Sequence, residues 1–153
     1  MGSRNCNRSQ YISFLLVFSI LDDVKAAREE WLFDSAIELT ALYHPEFGVV
    51  LRSQYGLDTN FSWVSDVGAF LPYINTRVAT GLGYAFDVWT WVPEMRILIG
   101  IQTHDEIRPL VQIDASARYF FTMDTSWIVS AGGFCDRDDC QAFLRLGLGK
   151  IFL

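Results

Sequence analysis

The residues able to do chemistry in this sequence fall into three groups. His44 and His104 are its two histidines, each in a short turn beside acids, Glu46 in one case and Asp105 and Glu106 in the other. An imidazole can activate a nucleophile for hydrolysis or ligate a metal. No Ser or Thr stands at a spacing that pairs with either histidine as a nucleophile, so both are read as exposed turn residues, with no catalytic residue, metal or cofactor assigned. The second group is Cys135-Asp136-Arg137-Asp138-Asp139-Cys140, two cysteines across a short turn. In an oxidising compartment the pair can close a disulfide, provided the Cβ atoms come within bonding distance, whereas zinc would need ligands from elsewhere.

The third group is spread along the chain: Glu38, Arg52, Asp66, Glu94, Arg96, Asp114, Arg118 and Arg145, interleaved with Gln54 and Gln112. Carboxylates packed among guanidiniums stay ionised, which spoils them as proton donors and suits them to pairing. A structural network is therefore expected here rather than acid/base catalysis.

The elements that must position these groups are strands. From Trp31 onward apolar residues recur at every second position, the period of a strand with two unlike faces. Met95, Ile97, Ile99 and Ile101 lie on one face and Glu94, Arg96, Leu98 and Gln102 on the other. Val111, Ile113, Ala115 and Ala117 alternate in the same way with Gln112, Asp114, Ser116 and Arg118, and Leu144, Leu146 and Leu148 with Phe143, Arg145 and Gly147. Turn residues such as His44-Pro45-Glu46, Leu71-Pro72-Tyr73 and Asp136 to Asp139 divide this pattern into eight segments, near 31–43, 47–56, 60–71, 76–87, 91–103, 107–121, 126–135 and 140–153. Each is long enough to cross a bilayer, for which a tilted strand needs ~9–11 residues, against ~5–6 in an average soluble strand.

The 153 residues suffice for one domain, and 51% hydrophobic and 15% aromatic content excludes disorder. A net charge of −6 without a basic cluster argues against nucleic acid as partner. The longest apolar run, Tyr11 to Leu21, is about half of what a membrane helix needs. Behind Arg4 and Arg8, with small residues at Val24 and Ala26, residues 1–26 read as a signal peptide, which leaves 27–153 as a single barrel domain. Cys6 lies upstream of the apolar run, misplaced for lipid attachment.

An eight-stranded antiparallel meander has two homes: a soluble barrel with an apolar interior, or a membrane barrel with an apolar exterior. The charged row decides for the second. Lys150 is the single lysine after residue 26, whereas a solvated surface normally uses lysine freely and buried pairing favours arginine. Facing lipid, each midplane arginine would cost roughly 2–4 kcal/mol, against a typical domain stability of about 5–15 kcal/mol. Trp31, Trp63, Trp89, Trp91 and Trp127 all fall at the end holding the termini, as an interfacial girdle requires.

With its alternating strands, export signal, polar lumen and closing strand Phe143 to Leu153, the chain resembles the small OmpA/OmpX-like outer-membrane β-barrels of Gram-negative bacteria. The resemblance implies an all-β, eight-stranded antiparallel up-and-down transmembrane β-barrel. Outer-membrane lipid, lipopolysaccharide and the barrel-assembly machinery are its implied partners, and a monomer its implied state. Members usually end on an aromatic residue, whereas here Leu153 follows Phe152. Asp136, Asp138 and Asp139, with Asp105 and Glu106 nearby, are then either a solvated acidic rim or ligands for cations that bridge lipopolysaccharide. The expected role is envelope-structural or surface contact without catalysis. Two alternatives stand beside it: a soluble lipocalin-like barrel with the Met95, Ile97, Ile99 and Leu146 face inward, and a lipid A-modifying enzyme using His44 or His104.

Overall fold

The computed structural model describes residues 30–41, 45–72, 74–86, 91–103 and 106–152. The expected signal segment, His44, His104 and Trp89 lie outside them. Eight strands follow in order: β1 (Trp31–Ala41), β2 (Phe47–Gly56), β3 (Phe61–Leu71), β4 (Asn75–Ala85), β5 (Trp91–Thr103), β6 (Ile107–Phe120), β7 (Thr125–Cys135) and β8 (Cys140–Phe152). Each pairs antiparallel with its chain neighbours, and β1 pairs with β8 to close the barrel. Closure pairs every strand on both sides, so no ladder of backbone N–H and C=O groups is left without a partner, which a hydrocarbon environment demands.

The period of two read from the sequence is the inside–outside alternation. In β3, Ser62, Val64, Asp66, Gly68 and Phe70 are buried while Phe61, Trp63, Val67, Ala69 and Leu71 are exposed. The soluble alternative required Met95, Ile97, Ile99 and Leu146 to line a cavity. Instead they face outward, 52%, 61%, 63% and 56% exposed, while Glu38, Asp66, Arg96, Asp114 and Arg118 are at most 1% exposed. This polarity is stable only where the exterior is apolar, so the wall is the lipid-facing surface of a transmembrane barrel.

Small residues make the interior wide enough for its charges. Gly48, Gly68, Gly83, Gly147 and Gly149, with Ala36 and Ala79, all point inward. At Gly149 a Cβ would collide with the Asp34 carboxylate, the Arg118 guanidinium and the Ser126 hydroxyl, so glycine there is a condition of the packing.

Expected boundaries and observed strands agree to within two residues at every end, β1 stopping at Ala41 and β4 at Ala85. Substituting Leu146, an outward residue paired with Ile37 and Val129, by arginine lowers stability in phospholipid vesicles by about 2–4 kcal/mol. Urea titration from the vesicles measures it. A wall facing water would accept the same change within about 0.5 kcal/mol.

Candidate functional site: the charged lumen

Inward-facing positions of seven strands bring ten ionic side chains together, five arginines and five acids, into one connected path of alternating sign. At its centre Arg52 forks onto Asp66, donating from Nε to Oδ1 at 2.6 Å and from Nη2 to Oδ2 at 2.7 Å. These residues are register partners on β2 and β3, so strand pairing aligns the fork. Arg52 Nη2 also reaches Asp114 Oδ2 at 3.1 Å, and Gln112 Nε2 donates to both carboxylates, at 3.3 Å to Asp66 and 3.0 Å to Asp114.

Toward the termini, Arg96 donates to Asp114 Oδ1 at 2.8 Å and also to Glu94. Arg118 donates from Nε to Glu94 Oε1 at 3.0 Å and forks onto Asp34 at 2.7 and 2.8 Å, with a further bond to the Ser126 hydroxyl at 3.0 Å. In the other direction Arg145 donates to Asp66 Oδ2 at 2.8 Å and to Glu38, whose second oxygen accepts from Arg77. Fork geometry on planar carboxylates is what arginine provides and lysine does not.

At the far end of the barrel the filling changes character. Phe70, Phe134 and Phe143 surround Arg77, whose guanidinium carbon lies 4.6, 4.3 and 5.6 Å from their ring centroids, and Arg145 stacks on Phe143 at 4.3 Å. The negative ring faces receive the two cations that end this side of the path. Leu110 completes the apolar layer, and nearer the mouth Asn75 donates to Glu46. At the terminal mouth a cavity of about 40 Å3 touches Gln54, Ser62, Glu94 and Arg118; another of about 10 Å3 lies between Asp34, Ser130 and Arg145.

The eight charged residues expected from the sequence meet in this path. Asp34 and Arg77 were missed, although both lie on the same period: Asp34 four residues before Glu38, and Arg77 two before Ala79. The three-ring layer is not expected from the sequence: Phe143 lies on the inward row beside Arg145, but Phe70 and Phe134 come from other strands and only the closed barrel brings the three together. Of the expected girdle, Trp31, Trp63, Trp91 and Trp127 stand at the terminal rim. Trp31 packs on Tyr55, Trp91 on Tyr119 and Trp127 on Phe121, with centroids 5.0, 5.1 and 6.3 Å apart. Cys135 and Cys140 form a disulfide across the last far-end turn, and Arg108 pairs with Asp138 there at 3.1 Å. No group of acids, histidines and cysteines able to hold a metal occurs among the described residues. In the turn before β7, hydrogen bonds from the Thr122 and Thr125 hydroxyls hold the Asp124 carboxyl below the usual carboxylate range.

Closed antiparallel order, inverted polarity and an ionic lumen together define one architecture. The chain has the fold of the small eight-stranded outer-membrane β-barrels. The N-terminal β-barrel domain of Pseudomonas aeruginosa OprF superposes with a TM-score of 0.64 at 13% identity, covering 82% of this chain and 98% of that one. Neisserial surface protein A gives 0.59 at 10% identity, covering 82% and 96%. A de novo designed transmembrane β-barrel gives 0.68 at 14% identity, covering 84% and 99%. No protein-family model matches the sequence, and no curated protein matches it. At such identities the likeness carries the fold, and the ion-pair path must be understood from this chain's own residues.

Replacing Arg52 by methionine leaves the buried carboxylates of Asp66 and Asp114 short of their shared cation, and is expected to cost about 3–5 kcal/mol. Adding Asp66→Asn recovers part of that loss, so the two changes are non-additive in a double-mutant cycle of unfolding free energies. Gly149→Ala, which pushes on the Asp34–Arg118 fork, is expected to cost about 1–3 kcal/mol in the same assay.

Proposed function

We propose that this protein is an outer-membrane barrel of a Gram-negative bacterium whose lumen is closed by its own side chains, with an envelope-structural or surface-contact role and no catalysis. The observation that carries the reading is the unbroken ionic path, capped by the ring layer of Phe70, Phe134 and Phe143. An eight-stranded barrel has room inside for side chains and little else. Glu94 is held between Arg96 and Arg118, and Asp114 between Arg52 and Arg96, which favours ionised carboxylates serving cohesion over proton transfer.

The location rests on three supports. The polarity of the wall calls for lipid, the aromatic rim fits an interface, and the Cys135–Cys140 bond suits an oxidising compartment reached by export. Lipid and lipopolysaccharide are the proposed surroundings, the assembly machinery the transient partner, and the monomer the working state. Short connections at the far end, such as 136–139, leave a compact surface for contacts.

The test is membrane fractionation with gel mobility and planar-bilayer recording. The expected result is retention after carbonate washing, a mobility shift between unboiled and boiled samples, and no stepwise conductance. Truncating Phe134 and Phe143 to alanine is expected to raise the leak. Release by carbonate without a shift would contradict the membrane location, and stepwise conductance from the unaltered protein would contradict the closed lumen.

A further inference from the structure

We propose that the wall of β8, β1, β2 and β3 carries a binding site for one phospholipid, its phosphate at Lys150 and an acyl chain in the groove that climbs from there. The inference rests on the membrane reading above and adds a specific occupant to it. Lys150 belongs to the outward row of β8, between Leu148 and Phe152, and is 56% exposed in a wall otherwise lined by apolar and hydroxyl residues at this point. Its ammonium lies 5.5 Å from the Phe152 ring centroid. Among the described residues it has one ion-pair partner, Asp124 Oδ2, at 4.0 Å, a solvent-exposed contact too long for a hydrogen bond, while the other oxygen of that carboxylate accepts from Thr122 and Thr125. An ammonium with its stem along an apolar wall and its head at an aromatic rim sits where lipid phosphates lie.

The second observation is the shape of the surface beside it. A groove of about 600 Å3 runs from Thr125 and Lys150 past Phe33, Ser35 and Ser53 to Ser65 and Val67. Its floor is made by Ser35, Ser53 and Ser65, small side chains set between the bulkier Phe33, Leu51, Leu148 and Val67. Register fixes its course: Lys150 pairs with Phe33, Phe33 with Ser53, and Ser53 with Ser65. Lys150 and Phe33 stand two residues from the terminal ends of their strands, Ser53 three and Ser65 four. The groove therefore rises from the rim toward the middle of the wall, the direction an acyl chain takes below its phosphate.

A second outward groove provides an internal comparison. It is larger, about 810 Å3, and is lined by Trp63, Thr80, Leu82, Met95, Ile97, Ile99 and Ile113, with no outward cation. It can hold a chain but offers no outward cation to a phosphate, so selectivity for headgroup charge belongs to the Lys150 groove.

The experiment uses the protein folded into phosphatidylcholine vesicles containing phosphatidylglycerol, extracted in mild detergent and read by native mass spectrometry. Unaltered protein should retain one phosphatidylglycerol. Lys150→Gln should reduce retention about fivefold, Lys150→Arg should keep it, and Ser53→Leu, which fills the groove floor, should reduce it without changing any charge. Leu82→Ala in the other groove should have no effect. Equal retention by the unaltered protein and Lys150→Gln would overturn the phosphate site, and undiminished retention by Ser53→Leu would overturn the groove. Gel mobility of each sample reports insertion separately. An inserted barrel that retains no lipid sinks this proposal alone, while failure to insert sinks the membrane reading beneath it.

Discussion

The structure depends on neutralising charge where water is absent. Five guanidiniums and five carboxylates share the interior of a barrel too narrow to hydrate them, and each is held by partners of opposite sign. An ionic group left single in such a place costs several kcal/mol, so the path is a condition for closing the barrel in this form rather than an addition to it. Four hydrogen-bonded links of the path cross the lumen between non-adjacent strands, Asp34 with Arg118 among them, while Glu38 and Arg145 are register partners on β1 and β8. Register on either side of β1 is thereby tied to β6 and β8, because a slip of one residue would turn every charge of a strand toward lipid.

Volume follows from the same constraint. Five arginines in one lumen need space, and the inward glycines and alanines supply it at the levels where guanidiniums cross. Gly149 lies against the Asp34–Arg118 fork and Gly132 against Asp114 and Phe143. Beyond Arg77 the ion-pair path stops and three phenylalanines take over, with Asn75 and Glu46 bonded to each other nearer the far mouth. Outside, hydrophobic residues face lipid for most of the wall, and tryptophan, tyrosine and phenylalanine gather at the terminal rim.

Much of this was legible in the sequence because one pattern, period two, carries strand number, strand extent and facing together. Eight segments, the outward row of β5 and the inward row of Gln112, Asp114, Ser116 and Arg118 all follow from it. Asp34 and Arg77 lie within the expected segments 31–43 and 76–87 and on the inward period, so no break in the pattern hid them. The pairing itself was not legible. Which carboxylate meets which guanidinium depends on how far the strands stagger when β8 returns to β1, and no local sequence signal encodes that stagger. The aromatic layer was illegible for a related reason: the facing of Phe143 follows from its row, but its meeting with Phe70 and Phe134 depends on how β3, β7 and β8 are set around the barrel.

The central claim is that the charged row faces a dry lumen and the apolar row faces lipid. Spin labels attached at Ile97→Cys, Ile99→Cys and Ile101→Cys in vesicle-inserted protein, with Asp58→Cys in a terminal-side turn as the aqueous reference, test it most directly. The account predicts high accessibility to dissolved oxygen and low accessibility to a water-soluble nickel chelate at the three β5 positions, with the reverse at residue 58. Nickel accessibility at residues 97 and 99 matching that at residue 58 would put the apolar row in water and contradict it.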